Sequence, residues 1–438
     1  MNQQRFSIRK TRSVCPVCLK NLPAELVPEP DGRILLQKTC PEHGAFTVPV
    51  WQGKVDFEQW LLETEPLPEG SGLLCPQNCG ICPEHEIGTC CALLEVTERC
   101  NLHCVYCFAD GGRQVHDPSL EDCKAAIREI VRQCGRPLLQ FSGGEPTLRD
   151  DLPELIAFAR EAGCSYTQVN TNGIRLAEDP AYALRLRDAG LDIVFLQFDG
   201  THDDIYRALR GGPLLETKLE AIRVCGEQKI GVTLVPTVVR GVNDENLGDI
   251  VSLAASLAPA VRGVHFQPVS YFGRYPSAPF DEDRYTLDRL MWDLSRQAGI
   301  PVGSFLPSRC DHPLCGFHAN FLIRPDGSLK PLSSIAHSAH SRGCEQDNRE
   351  YVARHWRRVE EEDPPAAPGS ETFSEEMDFD TFLYRLRHRS LALSAMAFQD
   401  AMNLNVERLH RCSLHVYDQG KIKPFCARYL SPFRRNTP

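Results

Sequence analysis

The stretch Cys100-Asn-Leu-His-Cys104-Val-Tyr-Cys107 decides the fold of this chain. It follows a short apolar run, Ala92 to Val96, which predicts a buried strand. Three thiolates at this spacing can hold three irons of a [4Fe-4S] cluster on one loop and leave the fourth iron without a protein ligand. An iron with an open coordination position can bind a reactant, so the loop predicts catalysis. A zinc knuckle that borrows a distant fourth ligand is the structural alternative.

Five further apolar runs follow, and each precedes a segment with helical spacing. These predicted strands are Pro137 to Phe141, Ser165 to Val169, Asp192 to Phe198, Gly231 to Val238, and Val261 to Pro268. Six alternating βα units indicate an α/β fold with a parallel sheet and right-handed crossovers. Because a full barrel has eight strands, six units predict either a doubly wound sheet or a partial barrel.

A second motif, Gln140-Phe141-Ser142-Gly143-Gly144-Glu145-Pro146, ends the second of these strands. Glycines let the backbone approach a ligand closely, and a carboxylate at the end of a strand suits an ammonium partner. The ends of later strands carry Asn172, Asp199 and Gln267. Ligand sites of parallel α/β folds lie at these carboxyl ends, so we expect one shared pocket, although Asn, Asp and Gly also favour turns for local reasons.

Together these motifs resemble the radical S-adenosylmethionine (SAM) superfamily, whose signature is a Cys-x3-Cys-x2-Cys loop with an aromatic residue before the last cysteine, here Tyr106. The resemblance implies a partial (β/α)6 barrel in which Cys100, Cys104 and Cys107 are the catalytic cluster ligands. It also implies that the open iron binds SAM and that the Gly-Gly-Glu segment receives the SAM amino group. The implied cofactor-binding residues are Tyr106, Gly143, Gly144, Glu145, Asn172, Asp199 and Gln267.

The chain has 20 cysteines in 438 residues, and 11 of them lie between Cys15 and Cys107. A reducing cytosol does not sustain a disulfide framework and a chain of this length does not need one, so clustered thiols predict metal ligation. Cys75-x3-Cys79-x2-Cys82 repeats the spacing of the catalytic loop. With Cys91, or its neighbour Cys90, as fourth ligand it predicts a closed auxiliary [4Fe-4S] cluster. Two SAM-cleaving clusters are the alternative.

Two more cysteine groups lie towards the ends of the chain. Cys15-x2-Cys18-x21-Cys40-x2-His43 offers sulfur and nitrogen ligands for a tetrahedral mononuclear zinc or iron site, as in a zinc ribbon or a rubredoxin-like site. The late thiols predict a second auxiliary cluster, with four unrelated cysteines as the alternative. These late thiols are Cys310, Cys315, Cys412 and Cys426.

The predicted domain organisation follows these groups. Residues 1–65 form an N-terminal metal-binding ribbon, and residues 66–92 an auxiliary cluster segment. Residues 93–300 form the radical SAM core barrel, and residues 301–438 a C-terminal auxiliary iron-sulfur region. An acidic, proline-containing stretch from Val359 to Asp380 predicts a linker or surface loop.

The composition is that of an ordinary globular protein, with 42% hydrophobic and 24% charged residues. The sequence contains no apolar run long enough to span a membrane and no secretory h-region, so we expect a cytoplasmic protein without transmembrane segments. A formal net charge of -10 argues against binding to nucleic acid, which needs an excess of Lys and Arg.

The order of the motifs resembles the group of radical SAM enzymes that contains tetraether lipid synthases and dihydropterin methyltransferases. The resemblance implies that SAM is cleaved to a 5'-deoxyadenosyl radical, which takes hydrogen from an unactivated C–H bond and leads to C–C bond formation or methylation. It implies a small-molecule or lipid substrate and an external electron donor of the ferredoxin or flavodoxin type. A peptide-modifying radical SAM maturase and a non-catalytic multi-cluster electron carrier are the alternative functions.

Overall fold

We describe the fold from a computed structural model of the chain. The structure describes residues 8–61, 64–77, 79–111, 117–277, 279, 281–308, 310–332, 344–357 and 379–433. The predicted acidic linker lies outside these ranges except for its last two positions. Among the described residues, no helix combines the length and the apolar character needed to cross a membrane.

The N-terminal segment is a four-stranded antiparallel sheet, which we call the ribbon. Buried residues alternate with more accessible ones along its strands, as in β3, so one face of the sheet is buried. The ribbon docks on the C-terminal part of the chain, where Arg9 Nε donates to Glu407 Oε2 at 3.0 Å and Lys38 Nζ donates to Ala401 O at 2.9 Å. Its strands are β1 (Arg9–Val14), β2 (Asn21–Pro28), β3 (Ile34–Cys40) and β4 (Gly44–Trp51).

A single 13-stranded sheet forms the rest of the framework. Its strands are β5 (Cys91–Thr97), β6 (Leu138–Gly143), β7 (Tyr166–Thr171), β8 (Ile193–Gln197), β9 (Gly231–Val235), β10 (Thr237–Val238), β11 (Val261–Pro268), β12 (Leu306–Pro307), β13 (Gly316–Ile323), β14 (Leu329–Pro331), β15 (Ser390–Met396), β16 (Leu414–Asp418) and β17 (Lys421–Pro424). The strand order is β12-β13-β15-β11-β9-β8-β7-β6-β5-β16-β17, with β10 beside β11 and β14 beside β13.

The helices alternate with the strands of the core as predicted. The first of them in the core begins after Ser119, whose hydroxyl accepts from Asp122 N at 3.1 Å, and ends before Gly135 at φ 73°. The helices are α1 (Phe57–Leu61), α2 (Leu120–Cys134), α3 (Leu152–Ala162), α4 (Ile174–Glu178), α5 (Pro180–Asp188), α6 (Asp203–Arg210), α7 (Leu215–Glu227), α8 (Leu247–Ser256), α9 (Leu287–Ala298), α10 (Glu345–Trp356), α11 (Phe379–His388), α12 (Val406–His410) and α13 (Phe425–Arg428).

The six predicted βα units are confirmed, and their strands are β5, β6, β7, β8, β9 with β10, and β11. Residues of β8 and β9 are buried on both faces, because helices cover one side and the barrel interior the other. The parallel sheet is wider than six units, however. Two strands from the C-terminal region extend it: β15 pairs parallel with β11, and β16 pairs parallel with β5.

The sheet is therefore a partial barrel of eight parallel strands among the described residues, running from β15 through β5 to β16. It continues beyond β15 into antiparallel β13 instead of closing on itself. All parallel strands point their carboxyl ends to the same edge, which places the predicted motifs there. The C-terminal region is thus part of the barrel wall as well as a source of late cysteines.

Candidate active site and metal centres

The Cys100–Cys107 loop lies at the carboxyl end of β5 and borders a cavity of about 300 Å³. Cys104 is buried, while Cys100 and Cys107 are half-buried and line the same cavity. Arg274 fixes the loop, since its Nε donates to Cys104 O at 2.8 Å and its backbone exchanges hydrogen bonds with Cys107. Three thiols that face one cavity fit the donor set of a cluster with an open iron.

Close backbone contact explains why β6 ends on a glycine, Gly143, and is followed by another, Gly144. A Cβ atom at Gly143, whose φ is +125°, would lie 2.1 Å from Thr97 O, and one at Gly144 would lie 2.1 Å from Arg99 O. No other residue type fits there without displacing the chain that leads into the cysteine loop. Both glycines line the cavity, so this contact also sets the distance between the cysteine loop and the end of β6.

Glu145 is held rigidly at the edge of the cavity. Its Oε1 accepts from Thr147 N at 3.0 Å and Thr171 Oγ1 at 2.7 Å, and its Oε2 accepts from Asn172 N at 2.7 Å. A carboxylate oxygen can accept about two hydrogen bonds, so among the described contacts Oε2 keeps one acceptor position. This fits the role that the sequence predicts, binding of an ammonium group.

The other predicted cofactor residues divide into two kinds. Tyr106, Asn172 and Gln267 line the cavity. Asp199 does not line it: this carboxylate is fully buried and pairs with Arg210, whose Nε and Nη2 donate at 2.7 and 2.6 Å. Arg210 itself lines the cavity, so it separates Asp199 from the cavity and is oriented by that carboxylate.

Sequence reasoning missed Arg210 and Lys218, two cations beneath the predicted site. Lys218 is fully buried and donates to Asn172 O and, at 3.2 Å, to Gln197 Oε1. Burial lowers its pKa to about 8, although Asp199 opposes the shift. The helices α6 and α7 carry both residues at positions that resemble ordinary surface cations, so the sequence gives no local signal for them.

We expect the buried amine to make stability depend on pH. The folded-state pKa of Lys218 lies below its ordinary value of 10.5, so between about pH 8 and 10.5 the unfolded chain binds a proton that the folded chain does not. Lys218 should therefore contribute a rise in the free energy of unfolding of up to about 1.4 kcal/mol per pH unit across that window. Because the buried Lys38, whose pKa burial lowers to about 7, contributes in the same direction, denaturant titrations at pH 8 and 10 should show a smaller rise in Lys218→Met than in the unaltered protein, by up to the contribution of Lys218. The exposed Lys54→Met control should keep the full rise; an equal pH dependence in Lys218→Met contradicts the assignment.

Away from the cysteines, the cavity is lined by amides and aromatic rings together with aliphatic side chains such as Leu138, Val235 and Met396. Gln168 Nε2 donates to Gln140 Oε1 at 3.0 Å, while Gln168 Oε1 is buried and has no hydrogen-bond partner among the described residues. Phe195, His265 and Trp356 form an aromatic group with ring centroids 5.2 to 5.7 Å apart. This end of the cavity offers amide edges and flat faces, which suit a planar, hydrogen-bonding ring.

The ribbon brings its four predicted ligands together. Cys15 Sγ lies 3.5 Å and Cys40 Sγ 3.4 Å from His43 Nδ1, and Cys18 Sγ lies 4.0 Å from Cys40 Sγ. Metal–ligand bonds of about 2.0–2.3 Å place tetrahedral ligands about 3.5–3.8 Å apart, so the set fits one mononuclear ion. Although burial opposes it, hydrogen bonds from His43 lower the pKa of Cys40 to about 6, which favours the thiolate that a metal needs.

Removing one of these ligands should remove one metal ion. We expect Cys40→Ser to lose about one zinc or iron per chain, because three donors no longer fill a tetrahedral site. Metal analysis of the purified protein would measure the loss and would identify the ion. Cys134→Ser, at the end of α2 and outside the ribbon, should keep the full content. An unchanged metal content in Cys40→Ser contradicts a mononuclear site at these residues.

The late cysteines converge in part. Burial raises the pKa of Cys412, and the neighbouring thiols Cys426 and Cys315 raise it further. Arg408 Nε lies 3.3 Å from Cys315 Sγ. These three thiols share one region, whereas Cys310 donates to the carbonyl oxygen of Cys344. Assignment of all four late cysteines to one auxiliary cluster stays a prediction.

Two thiols of the upstream triplet are in contact, and Cys91 faces elsewhere. Cys79 Sγ lies 3.9 Å from Cys75 Sγ. The hydrogen bond with Cys75 and burial raise the pKa of Cys79, and the charge of Cys82 adds to the same shift. Three thiols on one short segment fit an iron-sulfur cluster. Cys91 lines the central cavity instead, with its Sγ 3.8 Å from Gln140 Oε1. Its predicted place as fourth ligand therefore receives no support from these contacts.

Comparison with known proteins agrees with this arrangement. A profile of the radical SAM superfamily matches residues 94–254, and one of the HMPTM N-terminal zinc ribbon domain matches residues 7–52. The 7,8-dihydro-6-hydroxymethylpterin dimethyltransferase of Methanocaldococcus jannaschii is 34% identical, with 95% of this chain and 92% of that protein covered. The Fe-coproporphyrin III synthase of Methanosarcina barkeri is 36% identical over 50% of this chain and 55% of that protein.

Among solved structures, native anSMEcpe with bound AdoMet aligns with a TM-score of 0.39 and 17% identity over 47% of this chain and 59% of that chain, which is too distant to bear on function. The similarity to the archaeal dimethyltransferase, in contrast, runs through both the ribbon and the barrel. The cofactors of the superfamily, a [4Fe-4S] cluster and SAM, have their expected residues in this structure, and further metal sites accompany them. The chain belongs to the radical SAM superfamily and, within it, to the family of methyltransferases that includes the archaeal dihydropterin enzyme.

Proposed function

We propose that this protein is a radical SAM methyltransferase that acts on a reduced pterin. The observation that carries the proposal is the full-length similarity to an enzyme named for that substrate class, which includes the ribbon as well as the barrel. The cavity supports it, because its volume of about 300 Å³ is at the lower end of the range for small-molecule sites.

Different residues around the cavity would position SAM and the pterin. When bound and reduced, the cluster on the Cys100 loop supplies the electron that splits a C–S bond of SAM, giving methionine and a 5'-deoxyadenosyl radical. Glu145 and the glycines before it would hold the amino end of SAM at the mouth of the barrel. Gln140 and Gln168 would bind the polar edge of the pterin, and the Phe195 ring would stack on its face.

The same arrangement weighs against the two alternative functions. An electron carrier needs clusters whose irons are all ligated, whereas the Cys100 loop opens onto a cavity lined by a fixed carboxylate. A peptide maturase needs a site wide enough for a peptide chain. The N-terminal ribbon also matches a domain of another family, the HMPTM zinc ribbon domain.

We further propose that the enzyme works in the cytoplasm with an external electron donor of the ferredoxin or flavodoxin type. All 20 cysteines lie in described ranges and all are free thiols, which suits a reducing compartment. Each cleavage of SAM consumes one electron, which must come from outside the chain.

The test is an anaerobic assay of the reconstituted protein with 7,8-dihydro-6-hydroxymethylpterin, a strong reductant, SAM as the source of the radical, and a second SAM or an added one-carbon carrier as the source of the methyl group. We expect release of 5'-deoxyadenosine and a pterin product heavier by one or two methyl groups. Gln168→Leu should still release 5'-deoxyadenosine but lose most pterin methylation, because an apolar side chain of similar size cannot bind the ring edge. If radical formation occurs and a panel of pterins stays unmodified, the pterin assignment is wrong.

A further inference from the structure

The segment that carries the upstream triplet is fastened to the end of α12 and the residues after it. Glu86 N donates to His410 O at 2.8 Å, and Cys90 N donates to Ser413 O at 2.9 Å. His85 Nε2 lies 2.9 Å from Cys412 O. Residues more than 300 positions apart in the sequence are therefore neighbours here, and one of them, His410, carries an imidazole.

That imidazole approaches the triplet directly. His410 Nε2 lies 3.6 Å from Cys75 Sγ, and Cys75 Sγ in turn lies 3.9 Å from Cys79 Sγ. The side chain of His410 is 5% exposed, so its nitrogen is held inside the protein against the thiols. A neutral imidazole replaces cysteine on one iron of Rieske centres. Ligands on different irons of a cluster lie farther apart than these contacts, so His410 and Cys75 would turn away from each other around a bound cluster.

The other donors nearby are less well placed. Glu84 lies 3.7 Å from His410 Nε2, but its side chain is 46% exposed, it accepts from Gly72 N at 3.1 Å, and a carboxylate is a hard ligand. Cys412 donates to Leu414 O at 3.0 Å and lies with the late thiols. The charge of Cys412 also raises the pKa of Cys79, so Cys412 is the competing ligand to test.

We propose that Nε2 of His410 is the fourth protein ligand of the iron-sulfur cluster held by Cys75, Cys79 and Cys82. This assignment frees Cys412 for the late thiols and Cys91 for the wall of the substrate cavity. It does not depend on the identity of the substrate. A neutral ligand in place of a thiolate makes the cluster less negative and so raises its reduction potential, as histidine ligation does in Rieske centres.

Pulsed EPR of the reduced auxiliary cluster tests the proposal. The full-length chain with Cys100, Cys104 and Cys107 all replaced by alanine removes the signal of the catalytic cluster. Grown with ordinary and with ¹⁵N-labelled histidine, this protein should show a nitrogen hyperfine coupling that changes with the isotope. His410→Cys on the same background should keep the iron and lose the coupling, and its potential should fall.

Two matched variants complete the experiment. His85→Ala removes a neighbouring imidazole and should keep the coupling, while Cys412→Ala should keep the triplet's iron and the coupling. A cluster without any histidine coupling in the parent protein overturns the proposal. So does a coupling that persists in His410→Cys, or loss of the triplet's cluster in Cys412→Ala with retention in His410→Ala.

Discussion

Cys104→Ala should abolish reductive cleavage of SAM, with 5'-deoxyadenosine release falling to the level measured without reductant. Cys104 is the buried member of the loop, and its carbonyl is anchored by Arg274. Removing its thiol leaves two ligands on the loop, which are too few to retain a cluster that has only three protein ligands. The variant should also lose about four irons per chain. Liquid chromatography of the nucleoside product and iron analysis measure the two effects.

Cys225→Ala is the matched control for this loss. Its thiol is equally buried, but it lies inside α7, and burial raises its pKa to about 12 as expected of a core residue. This variant should keep its iron and its SAM cleavage, with at most a modest loss of stability from the small cavity. Unchanged release of 5'-deoxyadenosine in Cys104→Ala would refute the assignment of the catalytic cluster.

Asp199→Asn should destabilise the protein by about 3–5 kcal/mol, because it leaves a buried guanidinium without its counter-charge. The side chains of Arg210 and Asp199 are only 4% and 0% exposed, so water cannot replace the lost partner. Arg210 should also lose its fixed orientation at the cavity, which should weaken SAM binding. Denaturant unfolding measures the first effect, and equilibrium dialysis with SAM the second.

The exposed pair of Arg187 and Asp188 provides the control. Asp188→Asn removes a carboxylate whose side chain is 60% exposed, and surface pairs contribute about 0–1 kcal/mol. Its unfolding free energy and SAM affinity should therefore stay close to those of the unaltered protein. Equal stabilities of the Asp199 and Asp188 variants would show that the buried pair does not support the site.

The six core strands, and the cysteine loop and Gly-Gly-Glu segment at the ends of two of them, were predictable because each carries its signal locally. An apolar run followed by a capped helix specifies a βα unit, and the steric demand at Gly144 leaves only one residue type. The ribbon was predictable for the same reason, since Cys15, Cys18, Cys40 and His43 are close in sequence and their spacing matches one ion.

What the sequence did not reveal depends on contacts between distant segments. Strands β15 and β16 join the barrel from positions after residue 389, where the alternating pattern has already ended. Arg210 gains its role only through a carboxylate at the end of another strand. Likewise, the position of His410 beside Cys75 follows from the docking of the C-terminal region, which no local pattern encodes.

The docking of the ribbon on the C-terminal region also governs when the protein can mature. Arg9 and Glu407 are 398 positions apart, so at about 5–20 residues per second a ribosome needs roughly 20–80 s between making one partner and the other. During that interval the N-terminal thiols have left the ribosome while β16 and α12 do not yet exist. A cluster whose ligands come from both the Cys75 segment and the C-terminal region can therefore be completed only after that region has been made, whereas the four ligands of the ribbon are present as soon as His43 has left the ribosome.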